Sequence, residues 1–242
     1  MQRTVRLLKG SALQVFRDQM LAVLLIAPIF MGIALRFLIP LADRLLLQYL
    51  GFTLKPYYLL ADVVTLTVGA MVIGMMTGLL MLDERDDGIS AYFAVTPVGG
   101  PAYLVSRLVL PFVYYGTAEL LIMSFAALGN TGYLLMTAPV LISALCGIFM
   151  AMLLVSVASN KLEGLAVSKL QGIILCGIPL AWFAAYPWKL IGMVLPTYWV
   201  TEILIQAKAG NIPGYLAASA AGLACSSLWI WGLYRLFIRR LQ

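Results

Sequence analysis

The sequence predicts an all-α integral membrane protein, and three observations carry that expectation. Of 242 residues, 63% are hydrophobic and only 11% are charged, where a water-soluble chain would carry about 25% charged residues. Mean hydropathy is +0.99. The apolar residues fall in long continuous runs rather than in alternation, which favours spanning helices over barrel strands.

The elements follow in chain order. Within residues 1–20, Arg3, Arg6, Gln14 and Arg17 recur at helical spacing, while Val5, Leu8, Ala12, Val15 and Phe16 populate another face. That pattern predicts a basic amphipathic helix lying on the membrane surface beside anionic headgroups. A cleaved signal peptide is the competing reading. Against it, the apolar stretch runs past Arg36 to Pro40 without a good small-residue cleavage site.

Six spans are then expected, at Leu21–Ile39, Leu59–Leu82, Tyr103–Leu128, Tyr133–Ser159, Lys169–Tyr186 and Gly214–Leu236. Each suffices to cross about 30 Å of hydrocarbon as a helix. A further stretch, Leu190–Ile205, contains Pro196 and Glu202. Counting it as a span would place the two basic termini on opposite sides. The positive-inside rule prefers both termini in the cytoplasm. Residues 187–213 are therefore expected to form a short outer-leaflet re-entrant helical hairpin between spans five and six. Eleven basic residues then fall inside and five outside. The whole chain, 1–242, reads as a single multi-pass domain of the cytoplasmic membrane, in contact with lipid.

Composition also excludes chemistry. The chain has no histidine, so it carries no His-Glu-x-x-His zinc site, no Ser-His dyad and no histidine-ligated haem. Cys146, Cys176 and Cys225 sit apart inside apolar runs, which is neither a disulfide framework nor a metal cluster. No metal site is expected. The net charge of +6 is distributed as membrane orientation requires, and no nucleic-acid partner is inferred.

One segment stands out. Asp83-Glu84-Arg85-Asp86-Asp87-Gly88 is followed by Ile89, Tyr92, Phe93 and Thr96, whose spacing places a largely apolar ridge along a short cytoplasmic helix between spans two and three. Acidic residues at the front of that helix would complement its dipole. Pro97 would stop it and Gly99-Gly100-Pro101 would turn the chain back. One reading is an interfacial helix anchored by Tyr92 and Phe93. An anionic inner leaflet would repel the acidic cluster, however, whereas a soluble partner with a hydrophobic groove fits both features.

This block resembles the cytoplasmic coupling-helix signature of ABC exporter permeases of the second type, which reads acidic-basic-acidic-x-Gly-Thr, then apolar residues, then Thr-Pro-Val-Ser. Glu84 and Asp86 occupy the two acidic places before Gly88, Thr96-Pro97-Val98 follows at the expected distance, and Arg107 matches the basic residue near the start of span three. Ile89 stands where the family usually has Thr, and Gly99 where it usually has Ser. Pro196-Thr197-Tyr198-Trp199 with Glu202 resembles a looser motif of the same family. The remaining likeness is one of architecture.

The resemblance implies a six-span half-transporter with an N-terminal interfacial helix, a coupling helix over 83–97 and the outer hairpin. It implies two partners, a second permease subunit (identical or homologous) and a separate ATP-binding cassette subunit, which would bind ATP and Mg. This chain has no Gly-x-x-x-x-Gly-Lys-Ser/Thr loop, so no cofactor and no catalysis of its own are expected. Glu84, Asp86 and Asp87 would set docking register. Tyr92 and Phe93 would fill the ATPase cleft, Gly88 would permit a bend, and Thr96 with Pro97 would fix the exit geometry. The implied activity is outward movement of a hydrophobic or amphipathic substrate.

Within the spans, Glu119 lies near the middle of the third, one turn after Tyr115. A charge there costs about 2.5–3.5 kcal/mol on insertion scales, so it should face protein or water. It is either a pathway residue, for a cationic substrate or a proton, or a hydrogen-bonding group that joins helices. Tyr115 and Glu202 are further pathway candidates, and Glu202 is otherwise a solvated position near the outer surface. Arg36 is expected to snorkel, and Tyr198 and Trp199 to join an outer aromatic belt. Met71, Met75 and Met76 fit either an adaptable pocket or plain packing. Two other functions suit the composition: a proton-coupled secondary transporter using Glu119, and a non-transporting membrane immunity or assembly protein. The first would work without an ATPase.

Overall fold

The computed structural model describes residues 19–88 and 99–241. They form ten α-helices and two short 3₁₀ turns. In chain order these are α1 (Gln19–Leu50), α2 (Tyr58–Asp86), α3 (Gly99–Ala126), α4 (Thr137–Val157), α5 (Lys161–Ser168), α6 (Gln171–Leu175), α7 (Gly177–Phe183), α8 (Lys189–Gly192), α9 (Pro196–Lys208) and α10 (Ile212–Leu241). No strand occurs among the described residues. The N-terminal interfacial helix and the ridge Tyr92, Phe93, Thr96 and Pro97 lie outside them.

Five segments among the described residues are long and apolar enough to cross a membrane: Lys55–Asp86, Tyr103–Ala126, Tyr133–Val157, Lys161–Phe183 and Ile212–Arg239. They overlie the second to sixth expected spans, and the first expected span lies within α1. The helices α2 and α4 form the centre, with 67% and 72% of their most apolar windows buried, against 22–28% for the other three. The outer helices turn large apolar side chains outward, among them Phe30, Phe37, Phe125 and Leu228. That arrangement suits a chain whose solvent is lipid.

Small residues set the central crossing. A Cβ on Gly74 would lie 2.0 Å from the carbonyl oxygen of Gly147, so α2 and α4 touch backbone to backbone. Ala70 and Gly78, one turn to either side on α2, meet Gly147 and Ala151–Leu154 in the same way. Without a hydrophobic drive between helices in lipid, such close packing supplies the association. Thr67 and Thr77 return their hydroxyls to the Val63 and Ile73 carbonyls, which satisfies these two donors within α2 itself. Met71 and Met76 are buried and pack as core.

Three elements differ from expectation. Pro40 does not end the first helix, which runs about three turns further, to Leu50. The fifth span begins earlier than expected, at Lys161, and ends at Phe183. Where α5, α6 and α7 meet, at Lys169–Leu170 and at Cys176, the backbone stays helical but its hydrogen bonds tighten to carbonyls three residues back. Irregular backbone at membrane depth needs partners, and Thr197 supplies one by donating its hydroxyl to the Ile174 carbonyl. Gly177 allows this approach, since a Cβ there would meet the Thr197 side chain. Third, Tyr198 is 2% exposed and belongs to the core rather than to an aromatic belt. The helix α9 has 13 residues, about 20 Å at 1.5 Å per residue, which is short of a full crossing.

Candidate docking root and intramembrane acid

The acidic cluster closes one helix rather than opening the next. Asp83 to Asp86 form the last turn of α2, Asp87 follows as its cap, and Gly88 takes φ +74°. A glycine in the left-handed region is the usual helix stop. Carboxylates at a helix C-terminus oppose its dipole, so each must be compensated by other groups.

The compensation comes from two other helices, α3 and α5. Glu84 is 2% exposed. It accepts from the Tyr103 hydroxyl at 2.6 Å and from Nε of Arg107 at 3.0 Å, and it pairs with the Arg107 guanidinium. Asp83 pairs with Nζ of Lys161 at 2.9 Å, and Asp86 accepts the Lys161 N–H at 3.0 Å. Arg85 points to α4, donating to the Val155 and Ala158 carbonyls at 3.0 and 2.9 Å, and so caps that helix. Asn160 caps α5 by accepting the Glu163 N–H, while the Glu163 carboxylate accepts the Ser159 N–H. Asp87 is left exposed at the tip.

The ends of α2, α3, α4 and α5 are thus tied where residues 89–98 leave and return. Of the sequence-identified docking residues, Glu84 faces inward to its own chain, Asp86 is exposed but holds Lys161, and Asp87 and Gly88 lie at the exit. The inward role of Glu84 was visible in the sequence only as the presence of Arg107.

The intramembrane candidates separate into two places. Glu119 is 1% exposed, and among the described residues neither carboxyl oxygen has a hydrogen-bond partner. Its neighbour Tyr115 is also buried but donates instead to the Leu66 carbonyl. No helix-joining hydrogen bond of Glu119 is seen among the described residues. Burying a polar group without a partner is costly. Glu202 lies on α9, half-buried, with one oxygen accepting from Gln206 at 2.7 Å and the other buried without a partner. It is not a freely solvated position.

At the opposite end of α2, Asp62 accepts the N–H groups of Leu128 and Gly129 at 2.8 and 2.7 Å. Arg36 donates to the Ala127 carbonyl and Lys208 to that of Gly129. The α3–α4 loop is held by these three side chains, Arg36 reaching it from an exposed position.

A family model described as "Fluoroquinolones export permease protein Rv2686c-like" matches residues 11–234. The chain belongs to that family. Two relatives from Mycobacterium tuberculosis are the fluoroquinolones export permease proteins Rv2686c (strain H37Rv) and MT2760 (strain CDC 1551). Each is 30% identical over 227 residues, covering 92% of this chain and 88% of the relative. No solved structure matches the chain. Membership in the Rv2686c-like family, with the apolar helices, makes this a membrane permease of the export type. It agrees with the resemblance to exporter permeases read from the acidic block.

Proposed function

We propose that the chain is the transmembrane half of an ATP-driven exporter in the cytoplasmic membrane. Two permease subunits pair, and residues 83–97 of each dock on a separate cytoplasmic ATP-binding subunit that holds ATP and Mg. Both termini face the cytoplasm, and α8 with α9 forms the outer re-entrant element. The substrate moves outward and is amphipathic. The names of the M. tuberculosis relatives make fluoroquinolones the first compounds to try.

One observation supports the coupling reading above others. Glu84, Arg107 and Tyr103, which flank residues 89–98 in the chain, join α2 to α3. A displacement of that segment would be carried into both helices rather than absorbed at a loose hinge. In this reading Glu84 holds the root, while Asp86 and Asp87 meet basic residues of the ATPase and Tyr92 and Phe93 fill its cleft.

The test is co-purification. Charge reversal at Asp86 and Asp87 should lower recovery of the ATPase expressed from the same locus, with membrane insertion unchanged. Equal recovery would remove the docking role. A second reading, proton-coupled transport through Glu119, is favoured by the two unpartnered oxygens of that carboxyl. Export that persists in vesicles lacking ATP and the ATPase would select it.

A further inference from the structure

A cleft of about 650 Å³ opens at the end of the bundle remote from Glu84. From Tyr58 at its wall to Glu84, α2 rises about 40 Å at 1.5 Å per residue. The volume lies within the range of roughly 300–1,000 Å³ usual for small-molecule sites. Tyr58, Leu59, Trp182 and Ile205 supply apolar and aromatic wall, and Lys55 and Lys208 are the charged residues of the lining.

The lining itself holds two cations and no carboxylate. The carboxylates that feel these two cations are Asp43 and Asp62. Both are committed to holding the walls. Asp43 accepts from the Leu54 N–H, the Thr53 hydroxyl and the Tyr58 hydroxyl at 2.6, 2.8 and 3.1 Å. Asp62 accepts the two loop amides of Leu128 and Gly129. The Lys208 ammonium uses one donor on Gly129 and has two more. The Lys55 ammonium has no hydrogen bond or ion pair among the described residues.

We infer that this cleft is a binding site for an amphipathic anion, a flat aromatic or apolar body carrying a carboxylate or similar group. Lys55 and Lys208 take the anionic group, and Tyr58 and Trp182 take the flat body. The inference rests on the export reading in one respect only: with both termini cytoplasmic, the cleft lies on the outward side, where a departing substrate would be held. The same chemistry could come from an anionic lipid headgroup entering from the bilayer.

The experiment is equilibrium dialysis of 2-naphthoate and its neutral isostere 2-naphthamide against the full chain in phosphatidylcholine nanodiscs, with empty discs subtracted. The acid should bind about tenfold tighter than the amide, as a charge-assisted hydrogen bond implies. Combined Lys55→Gln and Lys208→Gln should bring the acid to the level of the amide. Lys55→Gln alone, which removes no internal bond, should weaken the acid severalfold, while Lys208→Arg should retain it. Equal binding of acid and amide, or undiminished acid binding in Lys55→Gln, would overturn the site. Adding phosphatidylglycerol separates the sources: displacement of the acid at low lipid fraction assigns the site to a headgroup, and persistence assigns it to a solute. Both results uphold an anion site. Because binding is measured without ATPase or ATP, intact binding with no ATP-driven export would defeat the transport reading alone.

Discussion

Glu84 and Arg107 form a buried ion pair across the two helices that enclose residues 89–98, with side chains 3% and 11% exposed. The pair joins the last turn of α2 to the third turn of α3. Tyr103, one turn before Arg107, adds its hydroxyl to the same carboxylate. Whatever residues 89–98 engage, their two anchor points move together.

Breaking this pair from one side should be costly. Removing one partner of a buried pair leaves the other uncompensated, at about 3–5 kcal/mol. Arg107→Gln and Glu84→Gln should each lower the melting temperature of the detergent-purified protein by many degrees. The double exchange Glu84→Gln with Arg107→Gln should cost less than the two single losses added together. Purely additive losses would show that the two side chains act independently.

The close crossing of α2 and α4 makes a second, sharper prediction. Gly74→Ala must push Gly147 away, because its Cβ would sit 2.0 Å from that carbonyl oxygen. Overpacking of this kind costs about 1–3 kcal/mol. Gly116→Ala on α3, where nothing lies within 4 Å of the added carbon, should melt as the parent does. If both variants melt alike, the backbone contact is not what holds these helices.

Much of this architecture was legible because a lipid-exposed helix must be apolar for its full length, so the spans stand out as runs. What failed were the ends. A charged cluster between two spans reads equally as the close of one helix or the start of the next, and dipole reasoning chose the second. Gly88, directly after the cluster, was the signal for the first, since glycine past the last turn marks a C-terminus. The tightened turns within Lys161–Phe183 were hidden because apolar content continues through them, and the Thr197 hydroxyl that meets the Ile174 carbonyl comes from a distant helix. The cleft was invisible for another reason. Lys55 and Lys208 are 153 positions apart in sequence, and only the fold brings both to one lining. Glu119 was legible as a position needing explanation, but its lack of a partner was not.

Asp62 holds a loop by two amide hydrogen bonds while 2% exposed. Asp62→Ala should free the Leu128 and Gly129 amides, each bond to a charged group being worth about 1.5–3 kcal/mol. The expected result is local: new protease cleavage within residues 127–132 and a lower melting temperature, with membrane insertion intact. Asp62→Asn, whose amide nitrogen would replace one of the two accepting oxygens and face an N–H donor, should fall between. A protease pattern unchanged in Asp62→Ala would mean that Arg36 and Lys208 suffice to hold the loop.

Glu119 offers the test that separates stability from function. A buried carboxyl with two unpartnered oxygens contributes nothing to folding that an apolar side chain of similar volume could not, and replacing such a group by a hydrocarbon is commonly neutral or stabilising. Glu119→Leu should therefore melt at or above the parental temperature. If the carboxyl is kept for transport, the same variant should lose most of its export activity in cells expressing the ATPase, and Glu119→Asp should recover part of it. A variant that melts lower and exports normally would reverse both halves of the argument, assigning Glu119 to packing and leaving the pathway to be sought elsewhere in the bundle.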